Sequence, residues 1–137
     1  MKPSGRALGL GTLAVFFVGA GLNHFLHPKP YLAMMPPYLP APETLNAVSG
    51  VAEIAGGLGV LVPKVRKPAG WGLIALLVAV FPANLHVALN GWEGAHIPRW
   101  VLWARLPLQP VLMAWVYQAC SLGRGTKLVR SGPRGQA

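Results

Sequence analysis

Two long apolar runs constrain this chain more than any motif it carries. The first, ALGLGTLAVFFVGAGLNHFL, extends from Ala7 to Leu26, and at about 1.5 Å per helical residue it spans a hydrocarbon core of roughly 30 Å. The second, AGWGLIALLVAVFPANLHVALN, extends from Ala69 to Asn90 and is broken only by Pro82. A proline kinks a membrane helix without ending it when neighbouring groups satisfy the freed carbonyl. Composition agrees, since 53% of the residues are hydrophobic and 11% charged, against about a quarter charged in soluble domains. So apolar a chain is not a solvated, disordered polypeptide. A lone cysteine, Cys120, excludes a scaffold built on internal disulfides.

Two further stretches fit the same environment. Leu45 to Val62 is apolar apart from Asn46, Ser49 and Glu53, and Glu43 and Thr44 before it supply helix-starting polar groups. Arg99 to Cys120 carries Arg105, Pro107, Gln109 and Pro110 in a background of Trp, Leu, Val, Met and Ala, which reads as a kinked fourth span. The expected fold is all-α, a four-transmembrane-helix bundle of up-down topology with spans at about 7–26, 45–62, 69–90 and 99–120. These make a membrane domain over residues 1–120, followed by a basic, flexible cytoplasmic tail over 121–137. A cleavable signal peptide is the rival reading of the start, but the apolar run continues past Ala20 to Leu26, as a retained span does.

The net charge of +9 then follows from topology. Lys2 and Arg6 precede the first span, Lys64, Arg66 and Lys67 separate the second from the third, and Arg124, Lys127, Arg130 and Arg134 follow the fourth. Only Lys29 and Arg99 fall on the other side, so the positive-inside rule puts both termini in the cytoplasm. The tail lacks a nucleic-acid motif, and its expected contact is with anionic lipid headgroups. The outer loop HPKPYLAMMPPYLPAPE is too rich in Tyr, Leu and Met to wave in water and is expected to pack as a lid.

Polar side chains inside a span carry the functional question, because an ionised group at bilayer depth costs about 2.5 to 3.5 kcal/mol even on the lenient scale. Glu53 in span two and Arg105 in span four are expected to form a buried ion pair. Asn23, His24, Asn84 and Gln109 fall near the same outer depth, so the candidate ligand-binding set is Asn23, His24, Glu53, Asn84, Arg105 and Gln109. Each has a structural alternative: the ion pair as a register lock, the histidines as hydrogen-bonding anchors. A site of His24, His86 and Glu53 is the metal alternative, but without supporting ligand spacing no metal is expected. Small residues at Gly50, Ala52, Ala55, Gly56, Gly57 and Gly59 make span two the expected central helix.

The strings GLNHFLHPKPYLAMMPPYLPAP, SGVAEIAGGLGVLVP, AGWGLIALLVAVFPAN and RLPLQPVL together resemble the DoxX-like family of small bacterial four-helix membrane proteins. The resemblance covers about Ala7 to Tyr117 and places Asn23, His24, Pro28, Tyr31, Pro36, Glu53, Pro82, Asn84, Arg105, Pro107 and Gln109 at motif positions. It implies a multi-pass protein of the bacterial cytoplasmic (inner) membrane, tied to redox-linked complexes or to maturation of partner proteins. No flavin, haem or iron–sulfur motif is present. The expectation is therefore an accessory or ligand-binding component rather than an enzyme, holding a quinone or other lipophile, with a redox partner protein or a second copy of the chain beside it in the bilayer. A subunit acting directly as an oxidoreductase and a small proton-coupled transporter are the alternatives.

Overall fold

The computed structural model describes residues 3–124. Apart from residues 121–124, the basic tail expected from the sequence lies outside the described residues, as does Lys2. All regular structure among the described residues is helical: α1 Pro3–Leu26, α2 Pro28–Met34, α3 Pro42–Gly59, α4 Arg66–Ala79, α5 Phe81–Asn90 and α6 Arg99–Ala119. Prolines open three of these, since Pro28, Pro42 and Pro82 occupy first-turn positions, where the missing N–H is no loss.

Helices α1, α3 and α6 occupy the stretches assigned to the first, second and fourth spans, with α3 starting three residues early, at Pro42. The third stretch is divided into α4 and α5 by a break at Val80. Pro82 has no N–H to return to Val78, and it clashes with a continuous preceding turn. Gly91 ends α5 at a φ of 83°, a conformation that a side chain would strain. Both Pro107 and Pro110 lie inside α6, which stays helical through them.

Two segments, Ser4–Leu26 and Arg66–Asn90, are long and apolar enough to cross a membrane. In each, only 28% of the apolar window is buried inside the protein. The core helix of a soluble protein would hide most of that surface.

Helix α3 packs on α1 and α4, while α6 packs on α4 and α5. The closest approach is between α1 and α3. A Cβ on Gly21 would stand 2.6 Å from the Gly50 carbonyl oxygen, and a Cβ on Gly50 would stand 3.0 Å from that of Gly21. Two glycines thus let the backbones touch where one side chain would hold them apart. One apolar cluster, including Leu10, Leu13, Phe17, Val60, Leu73, Leu77 and Val116, fills the end bearing the chain's start. A smaller one, Met34, Val87 and Leu102, closes the opposite end beneath α2. The polar side chains lie between them.

Candidate functional site

The contact of Gly21 with Gly50 brings the next turn of α1 against α3, and His24 meets Asn46 there. His24 Nδ1 lies 2.6 Å from Asn46 Oδ1, and Asn46 Nδ2 donates to the His24 backbone carbonyl at 3.0 Å. The second bond fixes the amide, because only its nitrogen can donate to a carbonyl. Nδ1 must then carry the proton it gives to Oδ1, which turns Nε2 toward the Glu53 carboxylate, 3.3 Å away. The separation is that of an ion pair but not a well-directed hydrogen bond, and Glu53 Oε2 has no hydrogen-bond partner among the described residues. Tyr31 of α2 stacks on the imidazole with ring centroids 3.8 Å apart.

The expected Glu53–Arg105 ion pair is therefore not formed: histidine takes the place expected of arginine. Arg105 is occupied elsewhere, with its guanidinium 4.9 Å from the centre of the Trp92 ring and Nη2 4.0 Å from Met34 Sδ. The reason lies in α2. The lid expected as a packed loop contains this helix, whose Met34 is buried, and Trp92 Nε1 donates to the Pro30 carbonyl at 2.9 Å. Together they give Arg105 an aromatic face and a sulfur nearer than the carboxylate.

Glu53 and Arg105 nonetheless line one cavity of about 260 Å³, and with them stand His24, Asn84 and Gln109. Apart from Ser49, the remaining wall is apolar and aromatic, including Phe16, Phe17, Tyr31, Met34 and Leu112. Asn23 is not part of it. Its amide donates to the Tyr31 hydroxyl at 2.9 Å and its oxygen meets His27 Nδ1 at 2.9 Å, so it positions the lid. His86 is also elsewhere, in contact with Asn90 of its own helix.

Gln109 Nε2 donates to the Leu77 carbonyl at 2.8 Å. The break at Val80 lies just beyond that carbonyl, in the turn whose helical donors Pro82 interrupts. That bond uses one of the two Nε2 hydrogens and leaves Oε1 buried without a hydrogen-bond partner among the described residues, as is Asn84 Oδ1. Asn46 and Trp92 join the site without belonging to the candidate set. Asn46 was open to discovery, because 46, 49 and 53 share one face of a helix, whereas Trp92 lies in a connection and carries no such periodic signal.

What these elements define, among the described residues, is an all-helical protein with two long apolar helices and a half-open, mixed polar and aromatic site. The chain belongs to the family described as Domain of unknown function (DUF8561), whose model matches residues 13–120, from the middle of α1 to the end of α6. No curated protein and no solved structure matches it.

Proposed function

We propose that the chain is a four-pass protein of the bacterial inner membrane, of the DoxX-like kind, that holds a lipophilic, quinone-like ligand as an accessory component of a redox-linked system. In this reading α1, α3, the α4–α5 pair and α6 are the spans, with both termini cytoplasmic and the α2 lid on the outer side. The surface supports a lipid setting. Leu8, Val15, Val48, Val51, Leu58, Val78 and Val111 are all more than half exposed, and a soluble monomer rarely tolerates so much outward apolar surface.

The observation that carries the ligand reading is the cavity itself. A site lined by apolar and aromatic groups with a few convergent polar ones is how proteins hold small molecules, and an apolar cavity of about 150 Å³ already accommodates benzene. At about 260 Å³ this one takes a substituted ring. Arg105 supplies a fixed donor at its wall, braced by Trp92.

Arg105→Gln tests the reading. A hydrogen bond to a charged group contributes about 1.5 to 3 kcal/mol, so the variant is expected to retain roughly one-tenth or less of the lipophile that co-purifies with the native chain, with the helical fold kept. Retention equal to the native protein's contradicts the reading.

Proton-coupled transport is a second reading, and one observation favours it. Glu53 faces a titratable histidine rather than a permanent cation, and such a pair can take up and release a proton. Full transport retained by Glu53→Gln would dispose of this reading.

A further inference from the structure

We infer that the occupant of this cavity carries a hydroxyl group on its ring, a hydrogen-bond donor, and docks it between Arg105 and Gln109. The inference rests on the ligand reading above and narrows its chemistry. A quinone-like head would ordinarily be assigned donors from the protein, because its carbonyls only accept. The wall supplies an acceptor beside its donor. Two buried side-chain atoms without a hydrogen-bond partner among the described residues are Asn84 Oδ1 and Gln109 Oε1, both oxygens, whereas Glu53 Oε2 is held by His24 Nε2 at 3.3 Å.

For Gln109 the assignment is fixed by chemistry. Its nitrogen must face the Leu77 carbonyl, so the atom left over is the acceptor. Gln109 is 5% exposed and Asn84 8%, so neither amide is served by bulk water, and an unmet acceptor in such surroundings is costly.

Arg105 stands one helical turn before Gln109 on the same face of α6. It can only donate, and Gln109 Oε1 can only accept. A hydroxyl is the small group that does both, accepting from the guanidinium through a lone pair and donating its hydrogen to the amide. An ether or a ketone meets the first partner and leaves the second unmet. The aromatic wall of Phe16, Phe17 and Tyr31 makes the carrier a ring, so the class is a phenol with an apolar substituent.

A matched pair of probes tests this without altering the protein: 4-pentylphenol and its methyl ether, 4-pentylanisole, which differ by the donor. The full chain in phospholipid nanodiscs is titrated calorimetrically with each, and empty nanodiscs correct for partitioning. The phenol is expected to bind tenfold or more tightly than the ether, because the ether leaves a buried acceptor unpaired. In Gln109→Met, which keeps the side chain's reach and removes the acceptor, the preference is expected to fall toward unity.

Equal binding of the two probes by the native chain overturns the hydroxyl assignment and leaves the lipophile reading standing. Binding of neither overturns both. A preference that persists undiminished in Gln109→Met overturns the placement between Arg105 and Gln109. Should that variant fail to fold, the native comparison still decides.

Discussion

His24→Leu is expected to destabilise the protein by about 3 kcal/mol, the lower end of what breaking a buried pair costs, since Glu53 is only half-buried. Leucine fills much of the space, so the cost is not a cavity. It comes from what is left behind: Glu53 loses the imidazole 3.3 Å away, and the Asn46 carbonyl oxygen loses its donor. Breaking such a pair by removing one partner costs about this much, because the carboxylate left at the cavity wall loses its compensating neighbour. The double variant His24→Leu/Glu53→Leu is therefore expected to be more stable than the single one, since two apolar groups replace the pair and no carboxylate is stranded. Thermal unfolding of the four members of this cycle in detergent gives the coupling. Simple additivity of the two single substitutions would mean that histidine and carboxylate act independently.

Gly21→Val has the second large effect, through shape alone. The new Cβ would lie 2.6 Å from the Gly50 carbonyl oxygen and 3.0 Å from the Ile54 backbone nitrogen, atoms that move only if α3 moves. Overpacking typically costs about 1 to 3 kcal/mol, and a clash with backbone belongs at the upper end. At this chain length that lowers the melting temperature by about 10 °C. Separation of α1 from α3 also pulls His24 off Asn46, so stability and the site fail together. Gly19 is the control, because a Cβ there meets nothing within 4 Å; Gly19→Val is expected to leave the melting temperature within a degree or two. Equal losses at positions 19 and 21 would contradict the packing account.

These two residues show where sequence reasoning reaches and where it stops. Helices α1, α3 and α6 follow from apolar runs and their proline or charged boundaries, because those signals are local. Pro82 is legible as a kink, but the structure ends one helix and starts another there, at Val80. That His24, Glu53, Asn84, Arg105 and Gln109 share one cavity was legible from their common depth along the chain. Their partners were not. The choice between His24 and Arg105 as the neighbour of Glu53 turns on how α1 rotates against α3, which Gly21 and Gly50 set together. It also turns on α2, seven residues in a proline-rich stretch without a helical apolar period, which places Met34 and, through Trp92, an aromatic face under the guanidinium. Asn23 has the same polar character as its neighbour but points to Tyr31 and His27, and one position along a helix is a rotation of about 100°. The direction of the Gln109 amide likewise depends on the Leu77 carbonyl, 32 residues away.

Native mass spectrometry of the protein extracted gently from its own membrane, with solvent extraction of the same sample, tests the central claim most directly. The expected result is a chain carrying a stoichiometric lipophile with an aromatic head, recovered in the extract and lost from Arg105→Gln. A chain or homodimer with no bound molecule, or one that carries only bulk phospholipid, would contradict the claim that this cavity is a ligand site.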